Sequence, residues 1–473
     1  METNVEFPDN SGTQALIDAD RNSHLHPFTS VLDQQTNRGL IVDTAEGITI
    51  RDRDGNSYLD AAAGLWCVNV GYGRREISDA MHTQSLNLSY YHSFNSTSNE
   101  PSALLSERLL DLAPDNMKRV FFGTSGSDAN DSAVKLVWYY NICRGKPEKR
   151  KILSRKFGYH GVTLASGSLS GVPMVHQHFG LPLDFVKHVS KPDLYRDAPA
   201  RGAVTEREYS KMLAAEIEDM ILAEGAETVG AFIAEPVLGT GGVLPPPEGY
   251  FQAIREVLDR HDVLLIADEV ITGFGRLGEW FGTDIYDMAS DIIVTAKGLT
   301  SGYLPLSAVL VGERVWNVIE SASADARVFA HGFTYSGHPV CAAAAMANLD
   351  IIEGESLVSR VAQISPLFLG QIQQKLLNCP IVGDIRGAGL MIGIEIVEDR
   401  AEKKGFEPEL KTAAKIALAA REEGVLVRAL PNSDIIALSP SFCVTDPELE
   451  QIVNRLDKAI GVIVEKYQVD GLI

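Results

Sequence analysis

The sequence predicts an α/β fold built on a mostly parallel sheet, and three observations predict it. Two short apolar runs, VLLIA at 263–267 and DIIVTA at 291–296, have the length and β-branched content of strands buried on both faces. A third run, VGAFIA at 229–234, has the same character. Helical spacing precedes it in KMLAAEIEDMILAE at 211–224, so strands and helices alternate along the chain. The first two runs each close on one charged side chain, Asp268 and Lys297.

Composition narrows the classes of function. The chain has 473 residues, 45% of them hydrophobic and 22% charged, which suits a globular protein of more than one domain. A net charge of −21 argues against nucleic acid and anionic membrane as partners. No apolar run reaches membrane-spanning length. The five cysteines are scattered without metal-ligand spacing, so no metal is expected, and the N-terminus METNVEFPDN lacks the features of a secretion signal. A cytoplasmic enzyme is the expectation.

In chain order, residues 1–25 are polar and read as a mobile arm with one short helix. RDRDGNSYLDAAAG at 51–64 reads as a hairpin turning at Asp54 and Gly55. GLWCVNVGYGR at 64–74 is apolar and glycine-rich, a buried connector. A helix is expected near 101–113. In KRVFFGTSGSDANDSAVKLVWYY at 118–140 a strand, a glycine-serine turn and a helix follow one another. Free N–H groups and the helix dipole make that helix start an anion site, with Asp128 as a possible cap. RKILSRKFGYHG at 150–161 is a strand and a loop carrying Tyr159 and His160. Residues 190–215 lack apolar periodicity and are expected as an exposed excursion. The run at 229–236 closes on Glu235. GTGGV at 239–243 has the glycines of a dinucleotide loop, but Pro245, Pro246 and Pro247 exclude the helix such a loop requires. AVLVG at 308–312 is expected as an edge strand, and HGFTYSG at 331–337 as the entry to a helix. From about 355 a smaller α/β region is expected, with helices at 360–378 and 410–423, strands at 385–397, 425–430 and 435–440, and a last helix from 446.

Ligands of open α/β sheets sit at the carboxyl ends of strands. Asp268 and Lys297 therefore bring a carboxylate and an amine to one sheet edge. A lysine that leaves an apolar strand and precedes Gly298 can be desolvated, which lowers its pKa and frees the amine to condense with a carbonyl. A buried carboxylate beside it can hold a cationic ring nitrogen. Pyridoxal phosphate needs these two groups. Taken alone, the same pair could be an ion pair between strand ends.

ADEVITGFGR at 267–276, followed by TAKGLTSGYLPLSAVL at 295–310, resembles the class III, or omega, aminotransferases of the fold-type-I pyridoxal-phosphate superfamily. The resemblance runs from about His26 to Ser441. It implies a mostly parallel seven-stranded sheet domain with a smaller α/β domain. The implied division is 1–69 for an N-terminal arm and part of the small domain, 70–335 for the large domain, and 336–473 for the C-terminal small domain. It implies pyridoxal 5'-phosphate as cofactor, with Lys297 and Asp268 catalytic. Gly126, Ser127, Tyr159, His160, Glu235 and Val270 would join those two in binding the cofactor, with Tyr159 and Val270 on the two ring faces. Val270 lies two residues past Asp268, so an extended segment would point both the same way. Thr334 would reach the partner subunit's cofactor phosphate in a homodimer or dimer of dimers. Phe28, Trp66, Phe94, Tyr159, Thr240 and Arg428 would contact substrate.

Within that family, DIIALSP at 434–440 puts Ala437 where the ornithine and 4-aminobutyrate enzymes carry an arginine. Arg428 stands instead where amine:pyruvate enzymes carry a mobile arginine. The implied reaction moves an amino group from an amine or omega-amino acid to pyruvate, giving an aldehyde or ketone and L-alanine. LSPSF at 438–442 and Met174 depart from the family pattern. A 4-aminobutyrate/2-oxoglutarate-type enzyme, another fold-type-I reaction and a silent cofactor-binding regulator are the alternatives.

Overall fold

The computed structural model describes residues 12–36, 39–323, 328–431 and 433–473. Residues 1–11 of the arm expected at 1–25 lie outside them, and its helix is present at Thr13–Ser23. An N-terminal group of strands comprises β1 (Val42–Glu46), β2 (Thr49–Asp52) and β3 (Ser57–Asp60), with β2 and β3 forming the expected hairpin. The central sheet follows: β4 (Met117–Gly123), β5 (Lys151–Arg155), β6 (Val186–Val189), β7 (Val229–Ala234), β8 (Leu264–Asp268), β9 (Ile292–Thr295) and β10 (Ser307–Gly312). Its order is β4-β10-β9-β8-β7-β5-β6, and β5 to β9 run parallel.

Side chains of β8 alternate between two apolar layers. Leu264 and Ile266 enter one with Ala133 and Val137 of the helix Gly126–Cys143. Leu265 and Ala267 enter the other with Ile254 and Leu258 of the helix Tyr250–Arg260. Covering both faces this way is what a parallel sheet requires, and each fully buried leucine or isoleucine contributes roughly 1.5–3 kcal/mol.

Three expectations need correction. β10 is not an edge strand: it lies between β4 and β9, antiparallel to both. All six of its residues are buried, whereas β4 carries the more exposed Lys118 and Arg119 and takes the edge, where charge discourages further pairing. Residues 190–215 are not an exposed excursion. Asp193 and Ala198 are buried, and the helix Glu206–Glu224 starts early, capped by Thr205, and buries Tyr209 and Leu213. The strand expected at 385–397 is a hairpin of β11 (Val382–Ala388) and β12 (Met391–Ile396).

The strand expected at 425–430 also divides. β13 (Val425–Leu426) pairs in parallel with β3, while β14 (Arg428–Ala429) pairs with β15 (Ile435–Leu438). The chain changes sheets at Val427, so the N-terminal sheet has the order β1-β2-β3-β13 and the last sheet β11-β12-β15-β14. Among the described residues, no helix is long and apolar enough to cross a membrane.

The β11–β12 turn depends on Gly389, at φ +54. Its neighbour Leu390 donates its N–H to the Arg276 carbonyl at 3.0 Å. A Cβ at 389 would overlap Leu277 Cα and that carbonyl. Gly389→Ala should therefore destabilise the fold by about 1–3 kcal/mol through overpacking, with the positive φ adding to it. An unchanged thermal-unfolding midpoint would show that the hairpin can move off the 276–277 segment.

Candidate active site

The parallel register sets Asp268 opposite Val294, three residues before Lys297. Asp268 is buried. Its Oδ2 accepts from Nδ2 of Asn130 at 2.9 Å and lies 2.7 Å from Nδ1 of His160, and its Oδ1 accepts from the Val270 N–H at 3.1 Å. Among the described residues no lysine or arginine pairs with it. Two amide donors and one imidazole hold it, which leaves the carboxylate able to meet a cationic ligand in the cavity.

Lys297 opens a single 3-10 turn immediately beyond β9, at φ +40. Such backbone costs a non-glycine residue of order 1–3 kcal/mol and collects at functional sites. Gly298 has to be a glycine, because a Cβ there would overlap Nδ2 of Asn69. Asn69 is itself held by the buried Arg276, which donates to Asn69 Oδ1 at 2.8 Å and to the Pro440 carbonyl at 2.5 Å. Burial lowers Arg276 to about 9. Desolvation first, and the charge of Arg428 second, lower the Lys297 amine to about 8.

The helix Gly126–Cys143 starts at the same edge. Ser125 and Asp128 form a capping box, and Asp128 also accepts from the Thr124 N–H at 2.9 Å and the Ser307 hydroxyl at 3.0 Å. The N–H groups of Gly126 and Ser127, in the first turn, have no intrahelical acceptor, and both residues line the cavity. Val270 does not continue an extended segment. The chain turns after β8, as its N–H bond to Asp268 requires, and Val270 lies against Gly126, where a Cβ would come within 3.1 Å of both its methyls.

Glu235 fixes the opposite wall. Its Oε1 accepts from the Tyr159 N–H at 3.1 Å and its Oε2 from the Gly239 N–H at 2.8 Å, and burial raises its pKa. Burial also raises the Tyr159 phenol, against the charge of Arg428. The Phe28 ring lies 6.5 Å from that of Tyr159, and nearby His26 is hydrogen-bonded to Asp20 at 3.0 Å. Arg428, on β14, stands with its guanidinium carbon 5.0 Å from the centre of the Trp66 ring, and burial lowers its pKa. No carboxylate pairs with it among the described residues. Directly across the strand pair from it is Ala437.

These groups line one cavity of about 410 Å³. Every sequence-predicted cofactor or substrate residue borders it except Trp66, Phe94 and Thr334. Trp66 is buried beside Arg428. Phe94 and Thr334 are exposed and neighbour each other elsewhere: the Tyr90 hydroxyl donates to the Thr334 carbonyl at 2.8 Å, and Phe94 lies against Gly332. Sequence reasoning missed Asn130, Glu269, and the Arg276–Asn69 support behind Lys297. Asn130 was findable, one helical turn past Gly126 and on the same face. Glu269 is buried and accepts from the Gly282 N–H at 3.0 Å, the Thr283 N–H at 2.6 Å and the Thr272 hydroxyl; burial raises it to about 7.

The donor set fits pyridoxal phosphate: a desolvated amine for the aldehyde, a buried carboxylate that pairs with no lysine or arginine among the described residues for the ring nitrogen, and a helix start for the phosphate. A mostly parallel seven-stranded sheet with this site defines a fold-type-I pyridoxal-phosphate transferase. The chain belongs to the Aminotransferase class-III family, which it matches over residues 31–460. It is a pyridoxal-phosphate-dependent aminotransferase, acting on an amine and a keto acid. It is 45% identical over 460 residues to the diaminobutyrate–2-oxoglutarate transaminase of Halomonas elongata, covering 97% of this chain and 98% of that one. It is 42% identical to gamma aminobutyrate transaminase 1 of Solanum lycopersicum, covering 97% and 87% respectively. The omega transaminase from Pseudomonas jessenii in complex with PMP superposes with a TM-score of 0.92 at 41% identity, covering 95% of this chain and 98% of that one.

Lys297 should titrate near its lowered value of about 8 rather than at 10.5. Capture of pyridoxal phosphate by the apoprotein, fixed with borohydride, should accelerate as pH rises through that value and then level off. Arg428→Met should move the inflection upward by removing a nearby positive charge. A wild-type inflection near that of a free lysine, or no shift in the variant, would contradict this electrostatic account.

Proposed function

We propose that this aminotransferase takes its amino group from an amine or omega-amino acid and passes it to pyruvate, yielding an aldehyde or ketone and L-alanine. The observation that carries this reading is Arg428: a guanidinium at the cavity wall, held by an aromatic ring and, among the described residues, by no carboxylate. A keto acid brings one carboxylate to such a site, and a charge-assisted, bidentate pair is the natural fit. Among the described residues, Lys297 and Arg428 are the only lysine and arginine that border the cavity. With Lys297 committed to chemistry, one cation remains for substrate carboxylates, which suits pyruvate better than the dicarboxylate named for the Halomonas relative. Ala437 supports the same choice, since no second arginine stands across from Arg428.

Asp268 would hold the ring nitrogen, Gly126 and Ser127 the phosphate, and Tyr159 and Val270 the ring faces. When bound, pyridoxal phosphate supplies an aldehyde carbon that takes up the amino group and a ring that accepts an electron pair. Asp268 keeps the positive charge it faces stabilised. Lys297, neutral above about pH 8, has the basicity to take the proton from the substrate carbon that bears nitrogen and to return it as an acid. Tyr159 and Phe28 shield that proton transfer from water on one side.

We also propose a homodimer in which Thr334 serves the partner's site. Its exposure, away from its own cavity, supports this, as does the company of exposed Phe94, Tyr335 and Val328. We place the large domain at 70–335 and join 1–69 to 336–473 as the smaller one, a division supported by the sheet that β3 and β13 share.

Arg428→Ala should raise KM for pyruvate far more than KM for a simple arylalkyl amine. Losing a charge-assisted carboxylate contact costs roughly 2–4 kcal/mol, between about ten- and a thousandfold. Half-reactions run with each substrate alone measure it, and equal damage to both would mean that another residue holds the carboxylate. The dimer role predicts complementation: mixing Thr334→Ala with Lys297→Ala chains should create heterodimers in which one site keeps both residues intact. If no site in the mixture regains wild-type cofactor affinity, Thr334 works within its own chain.

A further inference from the structure

The loop that bears Thr334 is fastened to its own chain by the Tyr90 and Ser93 hydroxyls, which donate to the carbonyls of Thr334 and Ser336, and, three residues before Thr334, by a histidine. Nε2 of His331 lies 2.8 Å from the Ser132 hydroxyl, and Nδ1 lies 3.0 Å from the Lys135 ammonium. An ammonium only donates, so Nδ1 accepts and the ring is neutral with its hydrogen on Nε2. That N–H donates to Ser132, whose hydroxyl donates in turn to the Asp128 carbonyl at 2.7 Å. Each donor and acceptor in the relay thus has a single consistent direction.

The ring is clasped on its other sides by aromatic residues. It stacks on Phe121 of β4 with centroids 5.4 Å apart and planes at 17°, and meets Phe329 and Phe333 edge-on at 5.5 Å and 5.1 Å. The charged groups that act on it are Lys135 and Asp128. Burial, then the Lys135 charge, lowers its pKa from the ordinary 6.5.

Ser132 and Lys135 belong to the helix whose first turn, Gly126 and Ser127, faces the cavity. Thr334 follows His331 by three residues. The helix that begins one phosphate site therefore grips, along its side, the segment offered to the other subunit's site.

We propose that His331 is a positioning residue: in its neutral form it locks the 331–336 segment onto Ser132 and Lys135, and so sets Thr334 against the cofactor phosphate of the partner subunit. The inference rests on the proposed cross-subunit role of Thr334. A protonated ring cannot accept from Lys135. The lock therefore holds above about pH 6.5 and is lost as pH falls below the lowered value.

The test is the dissociation constant of pyridoxal phosphate, measured by titrating full-length apoprotein across this pH range. His331→Ala should weaken binding about tenfold at pH 8, the scale of one hydrogen bond and its packing. His331→Gln should bind within about threefold of wild type there, since its amide still donates to Ser132. As pH falls from 6.5 through the lowered value, the wild type should lose affinity more steeply than His331→Gln, which keeps only the loss due to the phosphate's own protonation near pH 6. Unchanged affinity in His331→Ala, a glutamine variant as weak as the alanine one, or parallel pH profiles would each overturn the proposal. Thr334→Ala, measured alongside, separates the two ideas. If it weakens binding and the His331 variants do not, the lock is wrong and the role of Thr334 stands; if it has no effect, the role of Thr334 falls first.

Discussion

The register between β8 and β9 is the constraint on which the site depends. A slip of one residue would turn Asp268 out of the cavity and into an apolar layer. Hydrophobic patterning cannot prevent that slip, because both strands are apolar on both faces. Asp291 supplies what patterning lacks. Its side chain accepts from the Leu265 N–H at 2.8 Å, its own N–H donates to the Leu265 carbonyl at 2.9 Å, and Arg255 pairs with it at 2.9 Å. This polar clamp at the far end of the two strands fixes which residues emerge at the near end.

The cavity that results is rich in charge and poor in ion pairs. Asp268 is held by amide donors and an imidazole, Glu235 by two backbone N–H groups, and Arg428 by an indole ring. Complete pairing of these groups would have been more stable for the empty protein and useless to a ligand. Hydrogen bonds from neutral groups instead hold the two carboxylates, and an aromatic face holds the guanidinium, without cancelling their charge. The costs are visible in the shifted groups: Lys297 and Arg428 are lowered and Glu235 raised, each chiefly by burial.

Much of this was legible in the sequence. Short apolar runs closed by one charge gave the strand ends, and the glycine-serine turn gave the helix start, because both signals are local. The misses were non-local. The interior position of β10 could not be read from AVLVG, since the choice of edge depends on how β4 tolerates solvent. The turn at Gly389 looks like any glycine in a strand until the Arg276 carbonyl is brought beside it. The break at Val427 has no local mark, because it reflects competition between β3 and β15 for one segment. Asn130 and Glu269 matter only through partners far away in sequence. Phe94 and Thr334 lie outside the cavity in a single chain, so no reading of one subunit's interior could place them.

The change of sheets at Val427 separates two properties of the enzyme mechanically. Lys297 and Asp268 ride on the central sheet, whose interior is closed on both sides. Arg428 rides on a two-residue strand borrowed by a different sheet. If Arg428 selects the substrate as proposed, drift in the small sheet, by loop length or by repacking around Ala437, would retune which acids and amines are admitted while Lys297 and Asp268 keep their spacing. On that proposal, selectivity in this architecture is an adjustable fitting on a fixed frame.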